Sequence, residues 1–277
     1  MLLGFGAVVA FESGRRLCIL VEAGATRFAV EATSVTEVAT ATSDRDSLRG
    51  ALEVKDLSQL LGGDPVEEAG MIIVLDVSPT LAVRVRSVVE VADLAQAPFF
   101  LLPPGLGPVL GRVSRGAVLH RDRLYLELVA EALAGGQPRT ASAPARPVHL
   151  AQDTPERSLV FESQGRLFGV PLPLVSQVVN RSDAFSALPA SGGPVAGIFP
   201  HAQALWPICS APGLLGGEAL AEAYFVLTQP AGQSIGWCAS RVLGVYPRFE
   251  PGEAAGEFRA SALSEPVLFL DLQRMFS

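Results

Sequence analysis

The side chains best suited to bind a metal or attack a substrate are three histidines and three cysteines. His120, His149 and His201 lie far apart in the chain. No His-x-x-His, His-Glu or Cys-x-x-Cys spacing occurs, and metal sites draw on such short-range sets. Cys18, Cys209 and Cys238 have no neighbouring histidine to generate a thiolate. An odd number of cysteines at wide spacing reads as packed thiols in a reducing compartment, not as a disulfide framework. Lys55, the single lysine, follows no glycine-rich phosphate loop. The residue types therefore point away from an enzyme, a metal site and a cofactor, and toward a non-covalent role.

The chain has 277 residues, of which 49% are hydrophobic, enough for well-packed cores. The formal net charge is −7, from 28 acidic and 21 basic residues. Nucleic-acid binding wants a basic stripe instead. No apolar run reaches the roughly 18–20 residues of a membrane-spanning helix, so no membrane insertion is expected. Met1–Phe11 is apolar but lacks a basic start and a cleavage site, so it does not read as a signal peptide. A cytoplasmic protein is expected.

Positioning falls to short strands. Leu81–Arg86, Leu124–Leu128 and the stretch around Leu17–Val21 alternate apolar and polar residues at period two. Turn residues bound them, as in small barrels or sandwiches. Asp56 predicts a cap for a short helix Leu57–Leu61 closed by Gly62. Asp122–Ala134 reads first as strand and then as helix. Residues 135–156 are rich in Gly, Pro, Ala and Ser and read as a linker. They part residues 16–134 from 157–277.

The two parts repeat each other in order. Gly24-Ala25-Thr26-Arg27-Phe28-Ala29-Val30 matches Gly165-Arg166-Leu167-Phe168-Gly169-Val170. Val35-Thr36-Glu37-Val38 matches Val175-Ser176-Gln177-Val178. Leu60-Leu61-Gly62-Gly63, Ile73-Val74-Leu75, Val88-Val89-Glu90-Val91 and Leu124–Leu128 have counterparts at 214–217, 225–227, 242–245 and 268–272. Phe28 and Phe168 are expected core anchors. The apolar run Pro98–Pro104 is expected to cover a seam or to form an exposed patch.

These strings resemble the CheW-like domain family. The first repeat carries Phe28-Ala29-Val30, Val35-Thr36-Glu37-Val38, Leu48-Arg49-Gly50 and Val54-Lys55-Asp56-Leu57. The second carries Phe168-Gly169-Val170-Pro171, Val175–Val178, Val195-Ala196-Gly197 and Leu268-Phe269-Leu270-Asp271-Leu272. The resemblance implies a mainly β chain of two tandem CheW-like domains. Each would hold two five-stranded SH3-like barrels and a few short helices.

It further implies a non-enzymatic adaptor or scaffold of chemotaxis signal transduction. The implied partners are a CheA-type histidine kinase, a methyl-accepting chemoreceptor or another CheW-like protein. Related polarity or motility partners fit the same reading. The implied contact residues are Arg49, Gly50, Glu37, Val38 and Val35 in the first repeat, and Val175, Val178 and Gly197 in the second. Arg49 offers fork-like hydrogen bonds to a carboxylate or to carbonyls. Gly197 is expected in a turn. Each repeat departs from the pattern: Glu53 stands where proline is usual, Gln177 replaces the glutamate, and Ile198-Phe199-Pro200-His201 replaces Leu-Arg-Gly. A barrel-shaped sensor of a small ligand, or an enzyme, is the other reading; it requires converging titratable side chains.

Overall fold

A computed structural model describes residues 15–41, 47–48, 52–63, 65, 70–103, 106, 108–135, 148–189 and 194–276. The chain divides into two compact units. Unit one comprises 1–143, 183–191 and 198–205, and unit two comprises 144–182, 192–197 and 206–277. Unit one therefore takes in two segments from beyond the Gly/Pro-rich stretch.

The expected strands form, because β-branched and aromatic residues pack well on a pleated surface. The protein is mainly β, with short helices between the strands. One sheet runs Ser87–Asp93, Leu17–Ala23, Thr26–Glu31, Arg123–Leu128, Ser114–His120, Phe99–Phe100. A second runs Arg241–Tyr246, Ser158–Ser163, Arg166–Pro171, Val267–Phe269, Glu257–Arg259, Glu250–Pro251. The two have the same strand order. Phe28 faces Leu126 across a parallel pair, as Phe168 faces Leu268. The first strand of each repeat has a register shift at the same place, between Leu20 and Val21 and between Val160 and Phe161.

The remaining sheets share their first four strands in order, and one has a further strand. One runs Val35–Thr40, Met71–Leu75, Leu81–Val85, Leu52–Asp56, Ser47–Leu48. The other runs Val175–Asn180, Tyr224–Thr228, Ile235–Ala239, Ala204–Cys209, Val195–His201, Ser186–Ala187. Three of the four sheets have six strands where five were expected. Each of these three includes a strand of two residues, which is too short to show any period in the sequence.

Local signals act as predicted. Asp56 caps helix Leu57–Leu60 by accepting the Gln59 N–H at 3.1 Å, and Gly62 takes φ +85° after it. Ser210 caps the corresponding helix Ala211–Leu214, with Gly216 at φ +86°. Strand Arg123–Leu128 is followed by helix Ala130–Ala134. Residues 136–147 of the stretch read as linker lie outside the described residues. His149–Ala151 is pinned within unit two. The Asp271 N–H donates to the His149 carbonyl at 2.7 Å, and the Ala151 N–H donates to the Phe269 carbonyl at 3.0 Å.

Phe28 and Phe168 are fully buried, as expected of core anchors. In unit one Cys18, Leu20, Ala29, Phe99, Val118 and Tyr125 share a core. Phe99 thus closes a core, whereas Leu101 of the same apolar run is exposed. In unit two Trp237 is buried, and its indole N–H donates to the Thr228 hydroxyl at 2.9 Å.

The three cysteines are free and buried. Burial pushes the Cys209 and Cys238 thiols up to about 12, and Cys238 beside Cys209 adds to the latter's rise. Cys18 is also raised, chiefly by burial, with Arg16 opposing. Folded protein is expected to resist thiol reagents at pH 8 and to react at all three positions in denaturant, as a colorimetric thiol assay would show. An unfolded thiol titrates near 9.0, so between that and about 12 the unfolded chain holds fewer protons than the folded one. Stability contributed by these thiols is therefore full below pH 9 and lost as pH rises above it. Denaturation midpoints across that range check the sign.

Candidate partner-binding surface

Val35, Glu37 and Val38 share one strand, Val35–Thr40, at the end of its sheet. Val175 and Val178 share the corresponding end strand, Val175–Asn180. Strands at the end of a sheet present polar backbone toward a possible partner. Both strands shift register at the same place, between Val35 and Glu37 and between Val175 and Gln177. Matching residues past the shift face outward. Val38, opposite Ile73, is 42% exposed, and Val178, opposite Val226, is 37% exposed. Val35 and Val175 are half-buried, as is Glu37 opposite Val74.

Arg49 and Gly50 lie outside the described residues. Gly197, expected in a turn, is instead buried inside strand Val195–His201. That strand is separated from Val175–Asn180 by three others in the sheet order. The sheet order thus groups the valines and leaves Gly197 apart from them.

A second matched pair lies outside the candidate residues. Val91 lies opposite Ile19 and Val245 opposite Leu159, on the outermost strands Ser87–Asp93 and Arg241–Tyr246. They are 59% and 40% exposed. Charged pairs lie on the same strands or beside them. Arg121 reaches Glu90 at 2.9 Å with His120 at 3.3 Å from the same carboxylate, and Arg241 reaches Glu162 at 2.8 Å. The repeat pattern did align Val88–Val91 with Val242–Val245. Their exposure was hidden because apolar runs of this kind read equally well as core.

The arrangement offers exposed apolar side chains on strands that also carry charged pairs. Among the described residues, no group of three or more His, Cys, Asp or Glu side chains is placed to hold a metal ion. The chain does contain one Gly-x-Ser-x-Gly string, Gly232-Gln233-Ser234-Ile235-Gly236. In hydrolases this string leads from a strand into a helix and raises the serine on a sharp turn. Here it leads from the short 3-10 helix Pro230–Gly232 into strand Ile235–Ala239, the opposite order. Among the described residues, no helix is long and apolar enough to cross a membrane.

No protein-family model matches the chain, and no curated protein matches it. Among solved structures it is similar to the scaffolding protein TtCheW from Thermoanaerobacter tengcongensis, at 18% identity. The match covers 44% of this chain and 93% of that one, with a TM-score of 0.37.

Proposed function

We propose that this protein is a non-enzymatic, cytoplasmic adaptor built from two CheW-like domains, residues 16–134 and 157–277, joined by a linker at 135–156. It couples a CheA-type histidine kinase, a methyl-accepting chemoreceptor or another CheW-like protein. Related polarity or motility partners belong to the same class. The observation that carries this reading is the repetition of sheet order, register and exposed valines in both repeats. Val38 matches Val178, and Val91 matches Val245. An enzyme needs one preorganised site, whereas a bridging protein profits from two similar surfaces, because the second contact then forms at high effective concentration. Arg49, Gly50, Glu37, Val35 and Val175 complete the proposed contact set, and Gly197, buried inside its strand, is left out of it.

The test is affinity capture from the source bacterium with the full chain as bait. Co-purification of a CheA-type kinase or a methyl-accepting receptor, reproduced with purified partner by calorimetry, is the expected result. A purified kinase and receptor that both fail to bind would overturn the proposal.

A further inference from the structure

Glu257 and Arg274 border a cavity of about 520 Å³ within unit two. That volume lies inside the roughly 300–1,000 Å³ of small-molecule sites. Its walls are pinned by hydrogen bonds. One wall is the segment Val148–Gln152, held by the Asp271 N–H on the His149 carbonyl and the Ala151 N–H on the Phe269 carbonyl. A second is the hairpin between strands Glu250–Pro251 and Glu257–Arg259. There the Gly252 N–H donates to the Glu257 carbonyl at 2.7 Å, and the Glu257 N–H donates to the Ala254 carbonyl at 3.1 Å. Gly256, at φ +75°, lets these two walls meet, since a Cβ on it would lie 2.8 Å from the Leu150 Cβ. The third is helix Leu272–Phe276, where the backbone N–H of Arg274 donates to the Asp271 carboxylate at 3.0 Å. A cavity with walls fixed in this way is preformed, so a ligand has little to reorder on entering.

The charges around it are of two kinds. Arg259 and Glu253, on the same hairpin, pair with each other at 3.1 Å. Glu257 and Arg274 both border the cavity, and among the described residues no ion pair joins them. Between them lies an apolar lining of Val148, Leu150, Pro251 and Phe258. One cation, one anion and an apolar surface together match a molecule that carries both charges on an apolar body.

We infer that this cavity is a binding site for a small zwitterion of dipeptide size with apolar side chains. Arg274 receives the carboxylate, for which its planar fork of donors is suited. Glu257 receives the ammonium group, and the apolar lining receives the side chains. The site goes beyond the adaptor reading and does not depend on it.

Calorimetric titration of the full chain with L-leucyl-L-leucine tests this. Saturable binding with a dissociation constant below about 1 mM is expected. Acetylating the amine or amidating the carboxylate of the dipeptide is each expected to weaken binding roughly tenfold or more, because each removes one charged partner. Arg274→Gln is expected to weaken the free dipeptide by a similar factor and to erase the difference between free and amidated forms. Glu257→Gln is expected to erase the difference between free and acetylated forms. Neither side chain is buried, so both variants are expected to unfold at the parent's temperature. Absence of saturable binding would overturn the inference. So would capped dipeptides that bind the parent protein as well as the free one does, or variants that bind all forms as the parent does.

Discussion

Phe269→Ala is expected to cost about 3–5 kcal/mol of folding stability, the range for emptying a buried aromatic site. The ring is 1% exposed. Phe249 and Phe258 stand edge-on to it, with centroids at 5.0 and 5.5 Å. Val160, Leu167, Ala260 and Val267 are the other buried residues of the cluster. Its floor is Gly169, the residue paired with it across the sheet. A Cβ on Gly169 would come within 2.1 Å of the ring.

Gly169→Ala alone is therefore expected to cost about 1–3 kcal/mol through overpacking. In the Phe269→Ala background its sign should reverse. The added methyl then enters the vacated space, and a glycine inside a strand is no longer a conformational burden of about 0.5–1 kcal/mol. Urea unfolding of the two single variants and the double variant reads this coupling. Additive costs would show that the ring does not occupy the glycine's space.

Val38→Asp with Val178→Asp is expected to weaken binding of the purified CheA-type partner by at least tenfold, or about 1.4 kcal/mol. A carboxylate there must be desolvated on docking. The folded protein itself should change by only about 0.5 kcal/mol, since both positions are substantially exposed. Val38→Ile with Val178→Ile keeps the apolar surface and is expected to bind like the parent. Calorimetric titration together with thermal unfolding separates the two effects. Unchanged affinity for the aspartate variant would remove these strands from the interface.

The contrast between the repeats shows how far the sequence could be read. Phe269 and Glu127 occupy the same register position, opposite Gly169 and Ala29. Side by side they look like an arbitrary difference. In the structure each has its own solution to burial. Phe269 sits among aromatic rings above a glycine. Glu127 is buried, is bound by the Arg16 guanidinium, and has Arg115 at 3.6 Å. Most of these partners are distant from their residue in the chain, so no local pattern announces them.

What the sequence determined by itself was local or periodic. The strand alternation, the Asp56 cap, the glycine that ends its helix, the core phenylalanines and the ordered repeat all depend on neighbours a few residues away or on matching strings. The tertiary structure decided what depends on distant residues meeting. It made Val38 and Val178 exposed while Val83 and Val226 are buried, and placed Gly197 within a strand rather than a turn. It also brought Asp183 and Ala187 to Arg27 and Thr26. Which face of a strand is covered is set by what packs over it, and composition alone does not carry that information.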